Sequence, residues 1–343
     1  MLGLKVHKKD AETAKRYLVK KALLDNQLIV FGSNSFIYLP IKGEISAKKR
    51  ASVEKVTGGK LVSSKFEKAG PKGKYRELLQ KKLGKSYDDV TKSYDIIGNI
   101  ALIDAKGKPA VAMAKAIMQT NKNVLTVISK GGAVSGKYRV RKYTHILGKR
   151  NFIADYRENG IELRFDIRKT FFSSRLAFDR LRIARMVKPK ENVIVMFAGM
   201  GPFAIAIGKM HRDANIVGIE LNRDACSYMK QNIALNKTPN VVAELGDVKK
   251  VAQKYEGFAD RVIMPLPKNS YDFLDSVLKV AKKRCIVHYY AFGDRKTGFK
   301  DELKRVKEFF AGRDARIKLL DSRVVRQYSP KEIEIVLDIQ LNK

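Results

Sequence analysis

A glycine turn between two apolar segments is the most informative feature of this sequence. The pattern of residues 192–203 predicts a strand, a tight turn with Gly199 and Gly201, and the start of a helix. Glycines let the backbone approach a ligand closely, and a helix N-terminus offers free N–H groups. A second predicted strand, 215–219, ends in Glu220, where a carboxylate could bind two ribose hydroxyls. We therefore predict a site for a cofactor that contains adenosine.

Residues after the next two predicted strands help to choose the cofactor. Asp247 follows the third strand, where it could hold an adenine amino group. Asp247 and Glu220 could instead be helix caps. The fourth strand, 261–264, ends in Pro265-Leu266-Pro267, and a proline-rich turn here is typical of methyltransferases that act on base nitrogens. Because no second glycine fingerprint for a dinucleotide follows, we favour S-adenosylmethionine over NAD.

The composition predicts a polyanionic partner. The 343 residues include 70 Lys and Arg against 35 Asp and Glu, which gives a formal net charge of +35. This excess goes beyond what solubility requires and indicates a large contact with nucleic acid, although a solvated basic surface is the alternative.

No apolar run reaches the ~18 residues of a membrane span, and no signal-peptide core is visible. Cys226 and Cys285 are too few for a disulfide framework or a zinc site and suit a reducing cytoplasm.

The elements before the glycine turn predict two smaller α+β units. The first would hold a helix over 11–24 and a hairpin of 27–31 with 35–40, followed by a Lys-, Gly- and Ser-rich linker or loose strand over 42–73. The second would hold three elements: a strand with a glycine bulge, a helix and a strand, at 94–103, 110–118 and 124–128.

A basic and aromatic segment follows at 137–143. As a strand it would place Arg139, Arg141 and Tyr143 on the same face. Such a face suits phosphates and unstacked bases. The alternative is an edge strand whose charges prevent aggregation.

The last part of the chain predicts an α/β domain. A hairpin of 152–156 with 161–165 and a helix over 174–186 precede the glycine turn, and strands then alternate with helices. The strands at 315–320 and 333–340 close the chain. Seven strands with a final hairpin match a methyltransferase sheet better than a dehydrogenase sheet.

Six segments together resemble the archaeal tRNA (guanine-37-N1)-methyltransferase family. They are LKVHKKD (4–10), YDIIGN (94–99), YRVR (138–141), FSSRLA (172–177), MFAGMGPF (196–203) and DRVIMPLPK (260–268). The resemblance implies a domain at 1–65 that touches the outer corner of tRNA and a domain at 66–165 that grips the anticodon arm. It implies a class I, Rossmann-like S-adenosylmethionine domain at 166–343. We expect a monomer.

The resemblance also implies roles for individual residues. The arginine that contacts the target guanine falls on Arg139, or in a competing alignment on Arg141, and would stabilise charge on O6. The acid that takes the N1 proton falls on Asp179. The aromatic residue near the extruded base falls on Phe171. Further RNA contacts fall on Arg175 and Arg180, and a base-facing catalytic turn begins at Pro265. The cofactor residues fall on Phe197, Gly199, Gly201, Glu220, Asp247, Leu266 and Pro267.

Two departures from the family pattern are visible. The family commonly has Glu in place of Asp179 and Asn-Leu-Pro in place of Pro265-Leu266-Pro267. The proline resembles a bifunctional archaeal branch that methylates N1 of guanine 37 and later C7 of 4-demethylwyosine, to give isowyosine. The alternatives are an aminocarboxypropyltransferase of the same pathway and a non-catalytic tRNA-binding protein.

Overall fold

The computed structural model describes residues 1–25, 28–33, 35–67, 71–132 and 141–343. These residues form two compact units. The first consists of Met1–Ile96, Ala101–Ser129 and His145–Arg150, and the second of Ile97–Ile100, Lys130–Thr144 and Asn151–Lys343. In the described part of the chain, no helix is both long enough and apolar enough to span a bilayer.

The first unit opens with a four-stranded antiparallel sheet in the order β2-β3-β1-β4. Its strands are β1 (Leu2–His7), β2 (Phe31–Gly32), β3 (Phe36–Pro40) and β4 (Lys60–Ser63). Helices α1 (Ala11–Lys20) and α2 (Ala47–Thr57) accompany the sheet. Leu4, Leu18, Leu39 and Val53 belong to the same buried cluster, so both helices pack on one face.

The segment 42–73, predicted as a linker or a loose strand, is not a linker, and the strand alternative holds only for Lys60–Ser63. This segment contains α2, which Gly58 ends with φ +65°, and β4, which pairs with β1. The Lys-rich composition hid both elements, because only Val53 and a few neighbours face the core. The predicted hairpin of 27–31 with 35–40 is confirmed only next to its turn, where Phe31 and Gly32 of β2 pair with β3, while residues 26, 27 and 34 lie outside the described residues.

A second four-stranded sheet has the order β5-β6-β7-β8. Its strands are β5 (Tyr94–Ile97), β6 (Ile100–Ile103), β7 (Thr126–Lys130) and β8 (Tyr143–Gly148), and its helices are α3 (Pro71–Leu83) and α4 (Gly107–Thr120). The predicted single strand over 94–103 is two strands, because Gly98 has φ +57° and turns the chain. Most of the predicted strand at 137–143, with Arg139, lies outside the described residues.

The second unit contains the hairpin β9 (Ile153–Glu158) with β10 (Ile161–Asp166) and a seven-stranded sheet. The sheet order is β13-β12-β11-β14-β15-β17-β16. Its strands are β11 (Asn192–Met196), β12 (Asn215–Glu220), β13 (Val241–Leu245), β14 (Ala259–Met264), β15 (Ala281–Asp294), β16 (Arg316–Gln327) and β17 (Glu332–Asn342). The first five are parallel and β17 is antiparallel to both its neighbours, which confirms the methyltransferase-type sheet.

Helices cover both faces of this sheet. They are α5 (Ala177–Met186), α6 (Pro202–Met210), α7 (Arg223–Asn236), α8 (Val248–Val251), α9 (Leu274–Val280) and α10 (Lys300–Ala311). Val193 and Val195 of β11 belong to one buried cluster, whereas Ile194 and Met196 belong to another. Alternate side chains of a strand point to opposite faces, so the centre of the sheet is buried on both sides and the fold is Rossmann-like α/β.

Candidate cofactor site and the buried network beside it

The predicted cofactor residues lie at one edge of the sheet. Strands β11 to β14 are parallel neighbours, so their carboxyl ends meet at the same edge. The glycine turn follows β11, Glu220 ends β12, Asp247 comes two residues after β13, and Pro265 follows β14 directly. The structure therefore brings together residues that lie up to 70 positions apart in the sequence.

The glycine turn has a backbone that few residues adopt. Phe197, Gly199 and Gly201 have φ of +58°, +60° and +92°. A bulky residue at positive φ is strained, and such strain concentrates at functional sites. The Phe197 ring packs edge-on against Phe273 at 4.7 Å between ring centroids. The turn is thus held in place by packing rather than by local preference.

The two glycines have different reasons to be glycine. A Cβ on Gly201 would lie 2.8 Å from Cγ of Met229 and 2.9 Å from Cδ1 of Ile205. A Cβ on Gly199 would meet nothing closer than the carbonyl oxygen of Phe171, at 4.0 Å. Gly201 therefore allows α6 to pack, whereas Gly199 leaves open space beside the backbone where a ligand can approach.

Glu220 holds the glycine turn. Its Oε2 accepts a hydrogen bond from the backbone N–H of Gly199 at 2.7 Å, and its Oε1 accepts one from the N–H of Asn222 at 2.7 Å. Burial raises the pKa of Glu220, and these N–H donors oppose that shift. Each carboxylate oxygen can accept a second bond, so ribose hydroxyls can still be bound. An open glycine backbone beside a buried carboxylate fits the adenosine part of the cofactor.

The alternative that Glu220 and Asp247 are helix caps holds for Asp247 but not for Glu220. Asn222, not Glu220, is the N-cap of α7, because its side chain accepts from the N–H groups of Asp224 and Ala225. Asp247 does cap α8, since its Oδ1 accepts from the N–H of Lys249 at 2.9 Å. The cap explains the position of Asp247 without a cofactor.

The proline-containing turn is fixed by a residue that the sequence analysis missed. The hydroxyl of Ser270, which is 1% exposed, donates to the carbonyl oxygens of Leu266 at 3.0 Å and Met264 at 3.2 Å. The N–H of Leu266 donates to the carbonyl oxygen of Met264 at 2.8 Å. The Pro265-Leu266-Pro267 turn is therefore compact and attached to the end of β14.

Asp179 is buried rather than open to the site. It is 4% exposed, its Oδ1 accepts from Nε of Arg182 at 2.6 Å, and its Oδ2 accepts from the hydroxyl of Tyr290. Burial raises the pKa of Tyr290 well above its usual value, and the adjacent Asp179 carboxylate raises it further. The tyrosine therefore remains a protonated partner of the carboxylate.

The chain of buried polar groups continues from Arg182 into the sheet. Arg182 also donates to Asp338 on β17, and Asp338 is bonded to Nδ1 of His288 on β15 at 2.6 Å. Nε2 of His288 lies 2.8 Å from Nη1 of Arg261, whose other nitrogens donate to Glu191. Burial alone would raise the pKa of Asp338, but the bonds from His288 and Arg182 outweigh it and lower the pKa to about 2.

The network fixes the protonation state of His288. An arginine nitrogen can only donate, so Nε2 of His288 must accept, and Nδ1–H must donate to Asp338. Burial accordingly lowers the pKa of His288, against the opposing effect of Asp338. The sequence did carry a signal for these residues, because His288 and Asp338 each interrupt an apolar strand.

The expectation that Arg180 contacts RNA does not fit its placement. Arg180 is 1% exposed, and its guanidinium binds both carboxylate oxygens of Glu158 and the carbonyl oxygen of Ser173. The side chain thus joins α5 to the β9–β10 hairpin. A buried arginine with this many partners serves the fold.

Of the other predicted RNA contacts, Phe171 and Arg175 are accessible. Phe171 is 39% exposed, and Arg175 is exposed just before α5. Nε of Arg141 is buried and has no hydrogen-bond partner among the described residues. Arg139 lies within 133–140, outside those residues.

We expect the stability of the protein to fall below pH ~6.5 because of His288. The unfolded state binds a proton there that the buried, neutral histidine does not bind, so the free energy of unfolding decreases by up to about 1.4 kcal/mol per pH unit. Gln can keep both hydrogen bonds without titrating. Chemical denaturation of the wild type and His288→Gln at pH 8, 6.5 and 5 should show similar stability at pH 8 and a smaller loss in the variant. An equal loss of stability between pH 8 and pH 5 in the wild type and the variant would contradict a buried, neutral His288.

Gly199→Ala and Gly201→Ala form a matched pair. We expect Gly199→Ala to cost about 1–2 kcal/mol for its left-handed backbone, and to weaken S-adenosylmethionine binding at least tenfold because a methyl group enters the open side of the turn. Gly201→Ala should lose more stability, since its Cβ also meets Met229 and Ile205. Thermal melts and calorimetric titration of the cofactor measure both effects. Normal cofactor affinity of Gly199→Ala would show that the ligand does not approach there.

Comparison with known protein families agrees with this geometry. Residues 154–320 match the TRM5/TYW2 methyltransferase domain, residues 3–49 the tRNA methyltransferase 5 N-terminal domain, and residues 75–151 the TYW2 N-terminal domain. The chain is 33% identical to tRNA (guanine(37)-N(1))-methyltransferase Trm5b of Pyrococcus abyssi, over 99% of both chains. It is 32% identical to tRNA 4-demethylwyosine(37)-methyltransferase Taw21 of Saccharolobus solfataricus, over 74% of this chain and 95% of that protein.

A third relative has a different activity. The chain is 30% identical to the tRNA(Phe) (4-demethylwyosine(37)-C(7)) aminocarboxypropyltransferase of Methanocaldococcus jannaschii, over 61% of this chain and 83% of that protein. The match leaves more than a third of the present chain uncovered.

Solved structures show the same similarity over the full length. The crystal structure of Trm5b from Pyrococcus abyssi has a TM-score of 0.71 with 32% identity, and a complex of aTrm5 with tRNALeu has a TM-score of 0.69 with 30% identity; each comparison covers 100% of both chains. Methanocaldococcus jannaschii Trm5 in complex with adenosine has a TM-score of 0.65 with 29% identity over 100% of both chains. From the carboxyl-edge site and these matches together, we conclude that the chain belongs to the TRM5/TYW2 methyltransferase family of tRNA-modifying enzymes.

Proposed function

We propose that the protein transfers a methyl group from S-adenosylmethionine to N1 of guanine 37 in tRNA. The observation that carries this proposal is the cofactor edge, where Glu220 holds an open glycine turn, within a chain that matches a guanine-37 methyltransferase along 99% of its length. The aminocarboxypropyltransferase relative shares the catalytic half but covers only 61% of this chain. Methyl transfer is therefore favoured over transfer of the larger group.

We further propose three functional domains, at 1–65, 66–165 and 166–343. The matches to two N-terminal models and one methyltransferase model support the number and order of these domains, and the methyltransferase match begins at residue 154. In this arrangement the first two domains bind tRNA, which is consistent with the formal net charge of +35. The third binds the cofactor through Phe197, Gly199, Gly201, Glu220 and Asp247, with Leu266 and Pro267 from the turn after β14.

The proposed chemistry depends on removing one proton. When bound, S-adenosylmethionine supplies an electrophilic methyl group on a sulfonium. Guanine N1 carries a proton and is a poor nucleophile until a base removes it. Position 37 must also leave the stack of the anticodon loop before it can enter the site. Asp179 is the candidate base, and Arg139, or Arg141 in its place, would stabilise the negative charge that develops on O6.

The network around Asp179 suggests how a buried carboxylate could accept that proton. The Tyr290 hydroxyl can rotate from donor to acceptor, so Asp179 can become protonated and donate to it. Arg182 remains paired with Asp338 throughout and keeps the carboxyl group oriented. Phe171, Arg175 and the Pro265 turn would contact the extruded base and its phosphates. Arg180, which is paired with Glu158, has no such role in this proposal.

The proline turn supports a second activity. Pro265 stands where the family commonly has Asn, as in the branch that acts twice at the same nucleotide. The similarity to a 4-demethylwyosine methyltransferase is in keeping with this feature. We propose that the enzyme also methylates C7 of 4-demethylwyosine, to give isowyosine.

The primary test is methyl transfer from labelled S-adenosylmethionine to unmodified tRNA transcripts with guanine or adenine at position 37. We expect 1-methylguanosine with the guanine transcript alone, identified by nucleoside mass spectrometry. A product with the mass of an aminocarboxypropyl adduct would favour the transferase alternative, and cofactor binding without any product would favour a non-catalytic protein. tRNA that contains 4-demethylwyosine then tests the second activity.

The proton-acceptor role of Asp179 predicts a rate effect that stability does not explain. We expect Asp179→Asn to lower the single-turnover rate by about 100-fold or more, since general bases contribute about 10²–10⁴. Asp179→Glu, the residue common in the family, should restore most of the rate.

The matched control is Asp338→Asn, which disturbs the same network from the other side of Arg182. We expect it to lower the melting temperature at least as much as Asp179→Asn but to retain more of the single-turnover rate. If the single-turnover rate falls in both variants in proportion to the loss of stability, Asp179 has only a structural role.

A further inference from the structure

Helix α5 exposes a large apolar side chain beside the candidate base. Phe178 is 72% exposed, more than any other large hydrophobic side chain in the described part of the protein. Its neighbours in sequence, Asp179 and Arg180, are buried. An exposed phenylalanine adds nothing to the core, but single exposed apolar residues are common on protein surfaces, so the position of Phe178 and its charged neighbours must carry any argument for a partner.

The direction of α5 places Phe178 at the cofactor edge. Near the far end of the helix, the carbonyl oxygen of Ala184 lies 2.9 Å from Nε2 of His211, which follows α6. The two helices therefore end together, and α6 begins at the glycine turn. Since α5 leads into the amino end of β11, it begins toward the opposite, carboxyl edge of the sheet, and the carbonyl oxygen of Phe171, six residues before α5, lies 4.0 Å from where a Cβ on Gly199 would be. Phe178 is the second residue of α5 and so lies at the end of the domain where the reaction would occur.

Phe178 and Asp179 cannot contact the same group. Successive residues of an α-helix are rotated by about 100°, and adjacent residues do not share a face. Asp179 points inward to Tyr290 and Arg182, whereas Phe178 points to solvent. A substrate whose target base enters toward Asp179 would therefore present a different nucleotide to Phe178.

The charged residues on either side of Phe178 in the sequence suit a nucleic acid. Arg185 lies seven positions after Phe178 on α5, which is helical spacing for one face, and Arg175 lies three positions before it, in the short 3-10 helix that precedes α5. Both arginines are exposed. An exposed ring between two cations matches an unpaired base with phosphates on either side, because every base has a face that can stack on an aromatic ring.

We propose that Phe178 stacks on an unpaired nucleobase next to the target guanine, with Arg175 and Arg185 facing the adjacent phosphates. This inference rests on the proposed function, since it requires tRNA as the substrate. Extrusion of the target base breaks its stacking on both neighbours. The phenylalanine ring would replace one of these contacts and so hold the loop open. Stacking of this kind is largely independent of base identity.

Phe178→Ala tests the proposal without disturbing the core. We expect it to weaken binding of an unmodified tRNA transcript about tenfold, by fluorescence anisotropy, and Phe178→Trp to restore binding. The dependence of affinity on salt concentration should be unchanged, because no phosphate contact is lost, whereas Arg185→Ala should reduce its slope. The matched control is Leu235→Ala, another exposed apolar residue (49%), located at the end of α7 away from the cofactor edge.

Transcripts with an abasic nucleotide on either side of position 37 identify the partner base. We expect one of these positions to weaken binding by the wild type and to have no further effect on Phe178→Ala. Wild-type affinity in Phe178→Ala, or equal effects of the abasic sites on both proteins, would overturn the stacking proposal. The wild-type methyl-transfer assay is independent of these comparisons, so its failure would count against the proposed function alone.

Discussion

A continuous chain of buried hydrogen bonds and ion pairs ties helix α5 to the sheet. It runs from Tyr290 through Asp179 and Arg182 to Asp338, and then through His288 and Arg261 to Glu191. Charges of this kind are tolerable in a protein interior only when every member has its partners. The neutral, Nδ1-protonated state of His288 completes the chain, because it offers one acceptor to Arg261 and one donor to Asp338. The position of Asp179, and with it the start of α5, depends on this network.

The cofactor edge depends on a second, shorter arrangement. Glu220 at the end of β12 binds the backbone of Gly199 after β11, so two neighbouring strands are joined at their carboxyl ends. The strained backbone of Phe197 and the packing of Gly201 keep this turn in a conformation that local sequence would not favour. A rigid glycine turn beside a carboxylate is prepared for a ribose before any ligand arrives.

Helix α5 connects the two functions. Its inward face carries Asp179 and Arg182 into the buried network, and its outward face carries Phe178 and Arg185. Because one helix bears both sets of residues, a shift of the helix would move the candidate base and the proposed stacking residue together. The ion pair of Arg180 with Glu158 limits such a shift by joining the helix to the β9–β10 hairpin. Arg180 thus holds in place the helix that carries these residues.

Much of the methyltransferase domain was predictable from the sequence. Apolar runs of strand length, helical spacing and the turn residues Gly199 and Gly201 are local features, and they fixed the alternation of strands and helices around the turn. The position of an acid at the end of a parallel strand also follows from local sequence, which is why Glu220 could be chosen correctly as a residue of the carboxyl edge. Composition was less informative: the Lys-rich segment over 42–73 concealed α2 and β4, because β4 exists only through its pairing with β1.

The pairing of charged side chains was decided by tertiary structure alone. Asp179 and Arg180 are adjacent in the sequence and both lie on the predicted helix, yet one joins Tyr290, 111 residues away, and the other joins Glu158, 22 residues away. Local pattern predicts whether a side chain lies on a helix or a strand, but not which distant partner meets it in the interior. The sequence by itself therefore determined the elements and the chemistry available at the edge of the sheet. The structure determined which of those charges are used to hold the fold, because burial leaves each of them only the partners that packing brings within hydrogen-bond distance.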